Sequence, residues 1–196
     1  MRRLTALVIG AMALVALGMQ FWLNGDTPGL EPWGARAWDM LRYFTILTNG
    51  LVAVVMLREA AERPVGPHWH ATAALNITMV GIIYQILLAP PEPLVGLDWW
   101  PDALFHAIVP AATLVWWLAY APKAPRFADL PRWLAWPLAY CLYILVRAEF
   151  DGKYPYFFLD IPRFGVAIVA RNIVGLVAVF AIFGALMVLV GRISRR

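Results

Sequence analysis

The sequence has few of the residues on which soluble enzymes commonly build their sites. Among its 196 residues there is one cysteine, Cys141, and one serine, Ser194. A single cysteine excludes an intrachain disulfide and a cysteine cluster for zinc or iron–sulfur, and a lone serine in a basic tail argues against a serine hydrolase. The G-x-G-x-x-G and P-loop patterns of nucleotide sites are also absent.

Charge is scarce as well, at 14% of the residues, about half the share in soluble domains. Apolar residues make up 62% of the chain, and the mean hydropathy is +0.69. Because a bilayer-spanning helix needs about 20 apolar residues, we predict a single all-α domain over residues 1–196, a bundle of six transmembrane helices. The predicted spans are Leu4–Leu23, Met40–Leu57, Ala71–Leu88, Ala103–Tyr120, Leu134–Phe150 (interrupted by Pro137 and Arg147) and Gly165–Val190.

The first run also has features of a signal peptide. It follows Arg2 and Arg3 and contains a small-residue pattern at Ala16-Leu17-Gly18. The apolar run nevertheless continues to Leu23, which is long for a signal core, so we favour a retained helix.

The distribution of charge predicts the orientation. With the amino terminus in the cytoplasm, the inner segments carry ten basic and three acidic residues, and the outer segments carry five basic and nine acidic residues. This asymmetry of +7 against −4, with Arg171 inside the last span, follows the positive-inside rule. It predicts two cytoplasmic termini and contact with anionic lipid, with no nucleic acid partner. The inner bases are Arg2, Arg3, Arg58, Arg63, Lys123, Arg126, Arg132, Arg192, Arg195 and Arg196.

Polar residues gather at one depth in five of the predicted spans. Buried polar groups in membrane helices are costly and often mark function, so their gathering predicts an outward-facing polar pocket. Alternatively, they only join helices through hydrogen bonds. At about 1.5 Å per residue, the outer half of the membrane contains Arg42, Thr45, Thr48, Asn49, Gln85, Asp102, His106, Arg147, Glu149, Arg171 and Asn172.

The chemistry open to this pocket centres on His106, the only histidine predicted to lie deep. A neutral imidazole can activate a threonine hydroxyl, and Asp102, one helical turn earlier, can orient the ring. The candidate nucleophiles are Thr45 and Thr48, with Thr45 on the same helical face as Arg42 and Asn49. The arginines would bind an acidic group or stabilise an oxyanion. Alternatively, Thr45 bonds only to its own helix.

A metal or haem site is the weaker interpretation, and we expect no cofactor. His106 with Asp102 and Glu149 would supply ligands, but no H-x-x-x-H or H-E-x-x-H spacing accompanies them, and no second axial ligand for haem is evident. His68 and His70 are predicted to lie at the inner membrane interface.

Three blocks of sequence carry a family resemblance: Leu41–Asn49 (LRYFTILTN), Asp102–Pro110 (DALFHAIVP) and Lys153–Asp160 (KYPYFFLD). Together they resemble a bacterial family of six-helix membrane proteins of mostly unknown function. More distantly, they are similar to the eukaryotic androgen-induced membrane hydrolases, multipass threonine hydrolases that cleave fatty acid esters of hydroxy fatty acids.

The resemblance implies a nucleophile at Thr45, a histidine base at His106 and a rim contribution from Tyr154 and Pro155. Asp102 stands where the eukaryotic relatives have asparagine. The resemblance also implies an integral protein of the bacterial inner (plasma) membrane. Three hypotheses follow: a hydrolase of lipid esters, a non-catalytic binder or transporter of lipid or another small molecule that uses the same pocket, and a scaffold whose polar groups hold the bundle together. The chain-length preference and the oligomeric state are left open.

Overall fold

The computed structural model describes residues 1–63, 65–92, 94–121 and 125–193, and the regular elements in these ranges are all helical. Lys123, Ser194, Arg195 and Arg196, which were counted above, lie outside the described residues. The α-helices are α1 (Arg2–Leu23), α2 (Trp33–Met40), α3 (Phe44–Ala60), α4 (Pro67–Ile83), α5 (Trp99–Ala103), α6 (Val109–Tyr120), α7 (Leu130–Asp151), α8 (Ile161–Phe164) and α9 (Val166–Ile193).

Four stretches of the described chain are long and apolar enough to cross a membrane, and they match the first, third, fourth and sixth predicted spans. A fifth is added if α2 and α3, which are bent by 93°, form one span. The structure is therefore consistent with the predicted all-helical membrane protein, whereas the number of six spans and the cytoplasmic termini stay predictions. The four stretches are Arg2–Asp26, Pro67–Leu88, Gly96–Tyr120 and Val166–Arg192.

The predicted fifth span does form a helix, α7, but this helix is not among the stretches apolar enough to cross. Charged residues near both of its ends explain this result, since each is costly in hydrocarbon. They are Arg132, Arg147, Glu149 and Asp151.

The second predicted span is interrupted near its start. Tyr43 has an extended backbone (φ −94°, ψ 129°), and α3 begins only at Phe44. The prediction that Arg42 shares a helical face with Thr45 and Asn49 is therefore wrong, because Arg42 lies before the helix. Its buried guanidinium instead pairs with Asp39 of α2 at 3.3 Å. Burying this charge next to its partner costs less than leaving it alone on an apolar helix.

The chain divides into two compact units, Met1–Pro122 and Lys123–Arg196, and the single domain of the sequence analysis stays a prediction. In the first unit α4 is central: it packs on α3 and α6, and its residues from His70 to Gly81 are all buried. α1 packs on α3 and α6 through a stripe of small residues, which allow close helix approach. The buried residues of α1 are Ala6, Ile9, Gly10, Ala13 and Ala16.

Prolines account for the irregular ends of the central helices. α4 begins at Pro67, a favoured first position because proline lacks the N–H that a helix start leaves unpaired. It continues beyond Ile83 as a π-helical turn, Tyr84–Leu88, just before Pro90 and Pro91. A second π-helical turn, Leu104–Ile108, joins α5 to α6.

The second unit consists of α7, α8 and α9, with α7 packed on α9. α7 ends at Gly152, whose φ of +67° is the left-handed conformation typical of a helix carboxyl cap. Gly165, with φ of +77°, separates the short α8 from α9. The intervening segment carries Tyr154 and the short 3-10 turn Phe157–Leu159.

Candidate functional site

A histidine–carboxylate pair lies where α5 passes into α6. His106 Nδ1 lies 2.9 Å from Asp102 Oδ1, and the two side chains are 14% and 26% exposed. When the carboxylate is ionised and the ring is neutral, Nδ1 carries the hydrogen and Nε2 keeps its lone pair, because an ionised carboxylate only accepts hydrogen bonds. The predicted pairing of these residues therefore occurs in the structure, with the ring held in the tautomer that a general base requires.

Tyr84 completes this group, and the sequence analysis missed it. Its ring stacks on the His106 ring with centroids 3.5 Å apart and planes within 3°, and its hydroxyl lies near the Asp102 carboxylate. Tyr84 comes from the end of α4, so it fixes the pair against a second helix. A tyrosine next to the predicted site residue Gln85 was the available signal, but its contact with Asp102 is a product of helix packing.

Both aromatic rings lie on π-helical turns, and the cause is partly local. Pro110 has no N–H to pair with the carbonyl of His106, and its ring would clash with that carbonyl in a regular helix. Gly81 of α4 lies next to the His106 carbonyl and Pro110. A Cβ added to Gly81 would lie 3.0 Å from the His106 oxygen and 3.2 Å from Pro110 Cβ. The close approach of α4 to α6 beside His106 therefore depends on a residue without a side chain. Such π-helical turns are frequent at functional sites.

A groove of about 510 Å³ runs along α4 and α6 beside this group and is open on one side. From His106 to Leu114 it spans two turns of α6, or about 12 Å. An apolar groove with a few polar groups at one end is the usual form of a site for an amphipathic small molecule. Its lining includes His106, Gln85 and Thr78 as polar members and Ile82, Ile86 and Leu114 as apolar members.

Thr45 is half-buried in the first turn of α3, and it is not one of the residues that line the groove. Among the described residues, no hydrogen bond joins its hydroxyl to His106; its backbone oxygen accepts from Asn49 Nδ2 at 2.9 Å. Thr48 and Asn49 are fully buried on the same helix. The catalytic pairing of Thr45 with His106 stays a prediction.

The remaining predicted site residues belong to the second unit. Arg147 is buried and bonds to Tyr143 at 2.8 Å and to Asp151 at 3.3 Å. Asn172 donates to the Phe158 carbonyl at 2.9 Å, whereas Arg171 is exposed on α9.

Tyr154, the predicted rim residue, lies in the loop after α7 and is half-buried. Partial loss of hydration, together with the Glu149 and Asp160 carboxylates, raises the pKa of the Tyr154 phenol. The phenol therefore stays neutral at physiological pH and can act as a hydrogen-bond donor.

The described residues do not bring together the ligands that the metal interpretation requires. Asp102 and His106 belong to the first unit and Glu149 to the second. Within the described ranges, no three histidine, cysteine, aspartate or glutamate side chains gather in a way that would hold a metal ion.

The two histidines of the predicted inner interface differ in their surroundings. His68 is exposed, whereas His70 is 1% exposed and lies 3.2 Å from the buried carboxylate of Glu59. Their depth at the inner membrane interface stays a prediction. The sequence hides the pair of Glu59 and His70 because its members lie 11 residues apart on two helices.

Comparison with protein-family models, curated proteins and solved structures gives no match for this chain.

Proposed function

We propose that the protein is an intramembrane hydrolase of fatty-acid esters, with Thr45 as nucleophile and His106 as general base. The observation that carries this proposal is the oriented Asp102–His106 pair at the polar end of an apolar groove. Base chemistry needs a histidine with a defined tautomer, and an acyl chain needs an apolar channel next to it. Unit 1 offers both within two turns of α6.

In the proposed reaction the Thr45 oxygen attacks the ester carbonyl carbon while its proton passes to His106 Nε2. The alcohol then leaves with that proton, and the acyl group stays on Thr45. Water attacks the acyl-threonine and gives a proton to Nε2, and the Thr45 oxygen takes this proton back as the fatty acid departs. Asp102 holds the ring and stabilises its charged form in both steps.

The groove would hold the acyl chain with its carbonyl beside Gln85 and His106. Gln85 and His106 line the groove next to each other, and Ile82, Ile86 and Leu114 supply apolar contacts. The other substrate contacts expected from the sequence stay predictions; they are Arg42, Thr48, Asn49, Arg147, Tyr154, Arg171 and Asn172.

A second candidate function is non-catalytic binding or transport of a lipid or small molecule in the same groove. The observation that favours it is the position of Thr45, which is not among the groove-lining residues. Binding needs only the groove and its polar end, whereas hydrolysis needs the threonine as well.

We propose membrane lipids as the surroundings and source of substrate, two cytoplasmic termini, and the bacterial inner membrane as location. The charge asymmetry of the loops supports this orientation. In the structure, Glu59 contacts Arg2 at 2.6 Å and Glu62 contacts Arg3, so the start of α1 and the end of α3 share one end of unit 1.

The test is covalent labelling of the protein in nanodiscs with a fluorophosphonate, followed by turnover of p-nitrophenyl esters. We expect labelling and turnover that disappear in Thr45→Ala and His106→Ala. Thr72→Ala and His68→Ala are matched controls, because Thr72 bonds to a backbone oxygen at the other end of α4 and His68 is exposed.

The outcomes separate the two functions. Hydrolysis that survives Thr45→Ala contradicts the threonine nucleophile. Ester binding without turnover in the native protein, blocked by Leu114→Trp in the groove, establishes the second candidate instead.

A further inference from the structure

A second polar cluster lies at the other end of unit 1, where α1 begins and α3 gives way to α4. The Glu59 carboxylate, 5% exposed, lies between two cationic or potentially cationic groups. Its Oε1 is 2.6 Å from Arg2 Nη2, and its Oε2 is 3.2 Å from His70 Nε2. Three helices thus meet at one buried carboxylate.

The surroundings of the imidazole are defined on every side. Arg2 comes from α1 and Glu59 from α3, and the Gly66 carbonyl interacts with the ring from the start of α4. From α6, Trp116 stacks on the ring with centroids 5.4 Å apart, and its indole donates to the Arg2 carbonyl at 3.1 Å. The nearby pair of Arg3 and Glu62, with its arginine 62% and its glutamate 61% exposed, is a further charged contact at this end.

A neutral imidazole satisfies these surroundings incompletely. Nε2 lies next to Glu59, so a neutral ring that donates to this carboxylate keeps a lone pair on Nδ1. In the structure, Nδ1 is buried and completes no hydrogen bond with a described residue. A proton can therefore add at Nδ1 without breaking a hydrogen bond, and the charge that it brings lies next to the Glu59 carboxylate.

Arg2 offers a way to keep the buried charge balanced. Its side chain is 43% exposed, whereas those of Glu59 and His70 are 5% and 1% exposed. When His70 gains a proton, the His70–Glu59 pair becomes neutral by itself, and the guanidinium can move toward water without leaving an unpaired buried carboxylate. The protonated His70 ring and the Arg2 guanidinium therefore compete for the Glu59 carboxylate.

We propose that Glu59 and His70 form a buried proton-binding site, separate from Asp102 and His106, in which the bound proton displaces Arg2 from Glu59. Through this site, the cytoplasmic pH would control whether the start of α1 stays bound to α3. The side called cytoplasmic here is the one in our proposed orientation. This inference is independent of ester hydrolysis.

The test is ¹⁵N NMR of the imidazole nitrogens in the full-length protein in nanodiscs, followed from pH 4.5 to 8.5. His68, His70 and His106 are resolved in one sample after assignment by His→Gln variants, and exposed His68 is the internal reference. We expect a protonation step of His70 whose proton affinity falls at least about tenfold in E59Q, because an opposite charge within hydrogen-bond distance favours the charged ring. In R2Q the affinity rises severalfold, because the competing cation is gone.

R2Q alters an exposed side chain, so it keeps the test decisive if E59Q fails to fold. The control D102N changes the signals of His106 and leaves those of His70 unmoved. His70 nitrogens that stay constant across the range, or that respond identically in native protein and R2Q, overturn the proposal.

Discussion

At each end of the contact between α4 and α6, a histidine stacks on an aromatic ring from the other side of the contact and pairs with a carboxylate from a neighbouring helix. At one end His70 of α4 stacks on Trp116 of α6 and pairs with Glu59. At the other, His106 on the π-helical turn before α6 stacks on Tyr84, on the π-helical turn after α4, and pairs with Asp102.

The two ends differ in access and in how their carboxylates are supplied. Asp102 and His106 are one turn apart on the same chain segment, and His106 borders an open groove. Glu59 and His70 belong to different helices and are nearly inaccessible. Similar groups can therefore serve turnover where a substrate reaches them, and proton binding or anchoring where it does not.

Substitution of each carboxylate by its amide should separate the two proposed roles, turnover and proton binding, most strongly. We expect Asp102→Asn to lower kcat/KM for ester hydrolysis by about 10²–10⁴-fold, because the ring loses the acceptor that orients it. Glu59→Gln should leave kcat/KM within severalfold. Steady-state rates per mole of folded protein check this, and equal losses in both variants would erase the distinction between the ends.

For stability we expect the opposite order: loss of the Glu59 carboxylate should cost more than loss of the Asp102 carboxylate. Glu59→Ala leaves Arg2 and His70 without their buried partner, and we expect the free energy of unfolding to fall by about 3–5 kcal/mol. Asp102→Ala, at a half-open site, should cost about 1 kcal/mol. Steric trapping in bicelles measures both values; a larger cost for Asp102→Ala would contradict the assignment of the buried end.

The close helix approach beside His106 can be tested through glycine. Gly81→Ala places a Cβ 3.0 Å from the His106 oxygen, so we expect a loss of about 1–3 kcal/mol from overpacking. Gly18→Ala is the matched control, because a methyl group added there would meet no atom of a neighbouring element within 4 Å. This control should be neutral or stabilising by up to about 1 kcal/mol. Unfolding free energies of the two variants, measured side by side, check the difference.

The smallest expected effect concerns the Tyr84 hydroxyl. Tyr84→Phe keeps the ring stack on His106 and removes the hydroxyl that lies near the Asp102 carboxylate; if the two form a hydrogen bond in the membrane, its loss should cost about 0.6 kcal/mol. A double-mutant cycle with Asp102→Asn measures the coupling energy. A coupling near zero would show that the stack, and not the hydroxyl, attaches α4 to this site.

Local patterns were sufficient for much of the fold. Long apolar runs predicted four of the helical stretches, because hydrocarbon length and hydropathy are properties of contiguous residues. The predicted spans Leu4–Leu23, Ala71–Leu88, Ala103–Tyr120 and Gly165–Val190 match Arg2–Asp26, Pro67–Leu88, Gly96–Tyr120 and Val166–Arg192. The i, i+4 spacing likewise predicted the Asp102–His106 pair. The break before Phe44, where Tyr43 has an extended backbone, was missed because no proline or glycine marks it within Met40–Phe44.

Local sequence patterns could not predict which side chains meet between helices. Tyr84 reaches His106, and Glu59 reaches His70, only after α3, α4, α5 and α6 have packed.

Contiguous residues were thus enough to establish a helical, membrane-compatible chain and one histidine–carboxylate pair, since both depend on a single apolar run or a single helix turn. Packing decided which aromatic ring covers each histidine, that His70 is buried, and that His106 borders a groove. Those features depend on distances between helices, and the missing Cβ of Gly81 sets one of these distances.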